Sequence, residues 1–314
     1  MDRQDLLSNY TDLNNSFKKK TLVYHVGFRY GFFSEYNNMI LAMLYCLENK
    51  IRFVLYSKDA NFGYEKGWTD YFLPFCEENT NDFHSKHNHR DPLSTVFTQR
   101  NHPFVYLYKI IHPNRFLTFQ LWDTFRDKKF EKKIYHIPEL DITGDLQEAC
   151  SVLIKLTWNY NLHTQNTIDT LISSVRLPED YIGLHIRGGD KSMEVDLLDA
   201  QKYVDKAKSL SDLHSLFVLT DDYQIIEDMR INFKEFIIYT LCGENERGYF
   251  HEKFQKQEKA IIKQSHEKLF ASVDLLNKAQ LFVGTFSSNP GMFLGMRMSK
   301  DKAVSIDLDK WQIW

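Results

Sequence analysis

The sequence predicts an α/β fold made of two parallel-sheet halves, and three observations carry that prediction. Short apolar runs alternate with helical patterns in two separate series along the chain. The 314 residues are enough for two domains. With 43% apolar and 15% aromatic residues, each half can build a core.

The first series opens with "TLVYHV" (21–26), a buried strand, followed by the loop "GFRYGFFS" and the helical stretch "EYNNMILAMLYCLENK". Met39, Ile40, Met43, Leu44 and Leu47 fall on one helical face, and "IRFVLYS" (51–57) reads as the next strand. Together they make a βαβ unit. From about 58 to 145 the chain is aromatic and irregular, which predicts insertions and a rim over the first sheet. Helical patterns resume at "LQEACSVLIKLTWNYN" and "TIDTLISSV". In the second series the strands "YIGLHI", "LFVLT", "EFIIYT", "LFVGTF" and "AVSIDL" alternate with helices near 200–210, 223–231 and 254–279. This is a Rossmann-like half. The change of pattern sets the expected domains at 1–150 and 151–314.

Charge and cysteine content narrow the class of partner. A net charge of −3 and a pI near 6.5 give no global field for nucleic acid or an anionic membrane. Cys46, Cys76, Cys150 and Cys242 are far apart without a C-x-x-C spacing, and they read as reduced thiols of a cytoplasmic protein. The start lacks the apolar core of a signal peptide, and "MILAMLYCL" (39–47) is too short to span a bilayer. No membrane span is expected.

Three loops of the second half follow the carboxyl ends of strands, the edge where open α/β sheets bind ligands. After "YIGLHI" come Arg187, Gly188, Gly189, Asp190 and Lys191, with carboxylates at Glu194 and Asp196. After "LFVLT" come Asp221 and Asp222, and after "LFVGTF" come Ser287, Ser288, Asn289, Pro290 and Gly291, entering a helix. A helix start of this kind offers backbone N–H groups to an anion, and Arg187 adds a planar, permanently charged fork suited to phosphate. The combination predicts a diphosphate held between Arg187 and a helix N-terminus. Asp190, Asp221 and Asp222 would orient Arg187 or accept hydrogen bonds from ligand hydroxyl or amino groups. A salt bridge between Arg187 and Asp190 closing a turn is the simpler reading of the first loop taken alone.

The same residues resemble a known family. "HIRGGDK" is similar to the H-x-R-x-x-D-K motif of the α1,6-fucosyltransferase group, which spans the core fucosyltransferases and the rhizobial nodulation enzymes. In order along the chain, "LFVLTDD", "SVDLLNKAQLFVGTFSSN" and "VSIDLDKW" resemble the segments that follow in that group. "GFFSEYNNMILAMLYCLENKIRFVLYS" and "NFGYEKGWTDYFLPFCEE" resemble its Gly-rich opening and Gly-Trp segment. The resemblance is dense from about 150 to 312, patchy from 21 to 80 and weak between 80 and 145.

The resemblance implies the GT-B arrangement, two Rossmann-like domains facing a central cleft, with an acceptor-side first half and a second half that binds the nucleotide sugar. It implies an inverting glycosyltransferase that moves L-fucose from GDP-fucose to a glycan hydroxyl without a metal or other cofactor. The alternatives are the same scaffold with another nucleotide sugar, such as a xylosyl donor, or a catalytically silent nucleotide- or glycan-binding protein. By position, Arg187 holds the β-phosphate with Ser287, Ser288 and Asn289. His185, Asp222 and Asp274 line the guanosine or phosphate pocket, Tyr203 packs near the donor, and Gly27 and Gly31 of the Gly-rich opening contact the donor. Glu194 matches the family's base when the loop is shortened by one residue, a shift that also aligns Tyr203, and Lys191 assists it. Asp196 is the rival base, with the region of Glu35 as a further candidate. Many relatives carry a second arginine where Gly188 stands. The sequence shows no counterpart of the core enzymes' coiled coil and SH3 domain, which leaves the acceptor open.

Other clusters read as structural. His84, His87 and His89, with Lys86 and Arg90 among them, read as a solvated loop rather than a metal site. Asp307 and Asp309 end the last strand, where a capping role is expected. "KKFEKK" (128–133) reads as a solvated face. Tyr30, Phe32, Phe33 and Trp68 fit either core packing or a sugar platform.

Overall fold

The first apolar run forms strand β1 (Thr21–His25), and the helix Phe32–Glu48 carries the chain back to strand β2 (Arg52–Tyr56), parallel to β1 with Thr21 opposite Arg52. The computed structural model describes residues 1–90, 103–187, 200–248 and 254–313. It divides the chain into two units, Met1–Asn161 and Leu162–Ile313. The expected face of the helix Phe32–Glu48 is buried, and so is most of the remaining surface, because this helix is apolar nearly all round. Phe32, Phe33 and Trp68 belong to the core, where the Trp68 ring lies 4.4 Å from that of Phe72.

The middle of the first unit is more regular than its composition suggests. Helices Phe83–His87, Pro103–Ile111 and Thr118–Phe125 appear there, and strand β3 (Arg115–Leu117) joins β1 on the side away from β2. The sheet order is therefore β2-β1-β3, all parallel. An antiparallel pair, β4 (Tyr135–Ile137) and β5 (Ile142–Gly144), follows. The three-residue run "RFL" is too short to show a strand period, which is why the sequence reading missed β3.

Helix Leu146–Thr157 starts with a capping box between Asp145 and Glu148 and buries Ala149, Cys150 and Leu153. It packs on helix Phe32–Glu48, where the Tyr36 hydroxyl lies 2.7 Å from Thr157 Oγ1. That packing keeps it in the first unit and carries the division past residue 150, to Asn161.

In the second unit, strands β6 (Ile182–His185), β7 (Ser215–Leu219), β8 (Ile237–Tyr239), β9 (Leu281–Gly284) and β10 (Ala303–Ser305) form one parallel sheet, in the order β10-β9-β6-β7-β8. Helices Ala200–Lys208, Tyr223–Asn232, Lys259–Lys278 and Asn289–Arg297 connect them, and Leu162–Val175 packs on Lys259–Lys278. Among the described residues, no helix is long and apolar enough to cross a membrane.

Candidate functional site

Strand order locates the site in the second unit. The chain runs from β6 through β7 to β8 on one side, then returns to the other side of β6 for β9 and β10. The carboxyl ends of β6 and β9 thus flank the topological switch point, where helices on either side diverge and leave a crevice. His185 ends β6, the Ile186 N–H donates to the Leu219 carbonyl at 3.0 Å, and the partly buried Arg187 follows. Among the described residues Arg187 makes no ion pair.

Three neighbours define the electrostatics here. His185 is 6% exposed, and burial together with the Arg187 charge pushes its pKa down to about 3, so the ring is neutral at ordinary pH. Its Nδ1 is buried with no hydrogen-bond partner among the described residues, and so is Thr285 Oγ1, just past β9. Tyr203, on helix Ala200–Lys208, is buried. Burial raises its phenol pKa, the Asp307 carboxylate raises it further, and Arg187 works against both. Tyr203 therefore feels the charges that follow β6 and β10.

The turn after β9 is built as a helix start, and the N–H groups of Phe286, Ser287 and Gly291 are already engaged. Ser288 is the N-cap. Its hydroxyl accepts from the Gly291 N–H at 3.1 Å and donates to the Thr285 carbonyl at 2.9 Å. A Cβ on Gly291 would fall 1.9 Å from that carbonyl, so only glycine lets the turn close. The Phe286 and Ser287 N–H groups donate to the Asp307 carboxylate at 2.9 and 3.2 Å, and the Ser287 and Ser305 hydroxyls also donate to it. Burial raises the Asp307 pKa, but these hydrogen bonds outweigh it and leave the group below the usual carboxylate range. Asp307 is thus the capping group the sequence suggested, and it caps the very turn expected to receive a phosphate. Asp309 is exposed.

The remaining expected site residues are placed as follows. Asp222 caps helix Tyr223–Asn232 by accepting from the Gln224 N–H at 3.0 Å, and the Asp221 carbonyl accepts from the Gly248 N–H at 2.9 Å. Asp274 pairs with Arg297, tying helix Lys259–Lys278 to Asn289–Arg297. Asn289 is the first residue of its helix. Gly188, Gly189, Asp190, Lys191, Glu194 and Asp196 lie outside the described residues. The structure thus brings Arg187, His185, Tyr203, Thr285, Ser287 and Asp307 to one sheet edge, and puts Asp274 into an ion pair. Thr285 and the pairing role of Arg297 were missed in the sequence, where nothing in local spacing marks either.

The first unit has a switch point of its own, between β1 and β3. Asn88 stitches it, donating to the Val23 carbonyl at 2.8 Å and accepting from the Thr118 N–H at 2.6 Å. At the end of β1, His25 Nε2 lies 2.8 Å from Asp59 Oδ1. Gly27, at φ +82°, donates its N–H to Glu35 Oε2 at 3.2 Å, and Gly31 caps the helix Phe32–Glu48. Glu35 is 1% exposed and faces Arg90 Nε at 3.5 Å. Burial raises the Glu35 pKa in spite of Arg90 and the Gly27 N–H. Arg90 also stacks on the rings of Tyr30 and Trp122 at 3.7 and 4.8 Å. The solvated histidine loop expected here is corrected. His84 and His89 are buried, because Tyr108 packs on the first and Phe28 stacks on the second. Among the described residues, no group of three or more His, Cys, Asp or Glu is placed to hold a metal.

No family model matches the chain, and no curated protein matches it in sequence. Solved structures do. The chain is similar to NodZ alpha-1,6-fucosyltransferase soaked with GDP-fucose, at 12% identity and a TM-score of 0.55, over 90% of this chain and 93% of that one. It is also similar to the same enzyme co-crystallised with GDP, at 13% identity and a TM-score of 0.52, over 87% and 90% of the two chains. The third is fucosyltransferase NodZ from Bradyrhizobium, at 13% identity and a TM-score of 0.51, over 85% and 88%. The fold is that of the solved fucosyltransferases. At such identities the likeness is one of fold, and it matches the α/β, GT-B class expected from the sequence, with a parallel sheet in each unit.

Proposed function

We propose that this protein is an inverting fucosyltransferase that moves L-fucose from GDP-fucose to a glycan hydroxyl, with the donor held by the second unit. The observation that carries the reading is Arg187, without an ion-pair partner among the described residues, at the switch point between β6 and β9. The fold of NodZ structures soaked with GDP-fucose or co-crystallised with GDP supports it.

In this reading the bond from the fucose anomeric carbon to the β-phosphate oxygen breaks while the acceptor oxygen attacks from the opposite face. The departing diphosphate takes the bonding electrons, and Arg187 stabilises its charge. Asp307 holds the turn at Ser287 and Ser288 in shape beside it. His185, kept neutral, offers a single hydrogen bond without adding charge. Glu194, assisted by Lys191, takes the acceptor proton.

Thermal-shift comparison of GDP, UDP and dTDP tests the donor, since the nucleotide that binds the folded state raises the melting point. GDP should raise it most, and a larger shift with UDP or dTDP assigns another donor sugar to the scaffold. Glu194→Gln should keep GDP binding while transfer falls by roughly 10²- to 10⁴-fold. Asp196→Asn should be milder, and the reverse order would move the base to Asp196. Transfer should persist in EDTA, and loss on chelation with recovery in Mn²⁺ would overturn the Arg187-centred mechanism.

A further inference from the structure

One helix of the first unit shows its apolar residues to solvent. On Pro103–Ile111, Phe104 is 60% exposed, Tyr106 72%, Leu107 51%, Ile110 61% and Ile111 60%. At about 100° per residue these five fall on one continuous arc, and Val105 and Tyr108 lie on the opposite side. Those two hold the helix down. They pack with Leu117, Phe119 and Phe83, and the Tyr108 ring is 4.2 Å from that of Phe83. A contiguous exposed stripe of this kind marks a contact site, unlike exposed side chains scattered singly.

Charge says what the stripe meets. The chain has 42 acidic residues in 314, yet none from Pro103 up to Asp123, a run that includes Lys109 and Arg115. Lys109 flanks the stripe, and Lys86 and His87 lie on the packed helix Phe83–His87. The nearest carboxylate along that helix, Asp82, is already paired with Lys58 at 2.7 Å. In a protein of net charge −3 this is a local basic zone around an apolar helix.

We propose that helix Pro103–Ile111 docks the protein on an anionic lipid surface, lying in the plane of the interface with Phe104, Leu107, Ile110 and Ile111 in the acyl boundary. The exposed apolar arc supplies the area that insertion at the interface needs, and the nearby cations supply attraction to anionic lipid. Lys109 and Arg115 then meet lipid phosphates. A second copy of the chain fits less well, since a symmetric pairing would bring each basic zone against its twin.

The test is flotation of the full chain with vesicles, either pure phosphatidylcholine or equal parts phosphatidylcholine and phosphatidylglycerol. The wild type should float with the anionic vesicles, less so in high salt, and bind the neutral ones weakly. Phe104→Ser, Leu107→Ser and Ile110→Ser together should cut binding by at least about tenfold with an unchanged melting point, because all three are exposed. Lys109→Glu with Arg115→Glu should abolish the preference for anionic vesicles. Failure of the wild type to float, or equal flotation of the triple-serine variant, would overturn the proposal. So would a dimer in solution that the triple-serine variant dissolves while the wild type ignores vesicles, which would assign the face to a second copy.

Discussion

The two switch points, one in each unit, are built from similar residue types and finished differently. At the end of β1 the charges are matched inside the protein, His25 with Asp59 and Glu35 with Arg90, and Asn88 bridges the gap between β1 and β3. At the end of β6, Arg187 has no ion-pair partner among the described residues, while unmatched buried polar atoms occur at both edges, His185 Nδ1 and Thr285 Oγ1 here and His25 Nδ1 and Glu35 Oε1 at β1. The same strand order therefore yields an edge closed by paired charges in one unit and an edge left open at a cation unpaired among the described residues in the other.

The largest effect expected from breaking this contrast is at the closed edge. Arg90→Met strips the buried Glu35 carboxylate of its cation and should lower unfolding stability by about 3–5 kcal/mol in urea titrations at neutral pH. Glu35→Gln should be milder, because burial already raises the Glu35 pKa and makes its charged form costly. The reverse order would mean that Glu35 acts chiefly by accepting from the Gly27 N–H and that Arg90 contributes little. Next comes the open edge. Arg187→Ala should cost about 2–4 kcal/mol of GDP affinity by calorimetry while leaving the stability of the free protein nearly unchanged. A large loss of stability in the free protein would show that Arg187 is a structural cation like Arg90.

A smaller effect concerns acid. Burial leads the depression of the His185 pKa to about 3 and of His84, His89 and His266 to about 4. A depressed folded pKa gives stability that is present above the unfolded value near 6.5 and is lost as pH falls through the folded value. Both units should weaken from pH 6.5 down to about 4. His185→Gln should remove roughly 2 kcal/mol of the difference between pH 7 and pH 5. An unaltered acid limb in that variant would mean that His185 gains a proton without unfolding. The smallest change is Ser288→Ala, where loss of the cap at the Gly291 N–H should cost about 1 kcal/mol, read as a lowered melting point.

How much of this was legible in the sequence follows from how local each interaction is. The five strands of the second unit stand out because each is a continuous apolar run between helices, as a sheet covered on both faces requires. The helix start at Ser288 and Asn289 is written within three residues of chain, whereas Asp222 reads in the sequence only as a ligand contact and also caps its own helix. Strand β3 was not legible, since three residues cannot display a period. Nor was the burial of His84 and His89, which depends on Tyr108 and Phe28 arriving from distant parts of the chain. The Glu35–Arg90 and Asp274–Arg297 pairs are likewise long-range and leave no mark in spacing. Asp307 lay between the two cases. Its place at a strand end announced a cap, and only the fold showed which turn it caps.

The two units are contiguous in sequence, with the division at Asn161 and Leu162, and this has a consequence for synthesis. A ribosome adding roughly 5–20 residues per second finishes the first unit several seconds before the last strands of the second exist. In that interval the first sheet can close, since its strands β1, β2 and β3 all end by Leu117. The sheet of the second unit cannot do the same. Its central strand β6 emerges early, but its neighbour β9 follows almost a hundred residues later. The nascent chain therefore carries an unpaired β6 edge for much of its elongation, and that edge is where holding chaperones would act.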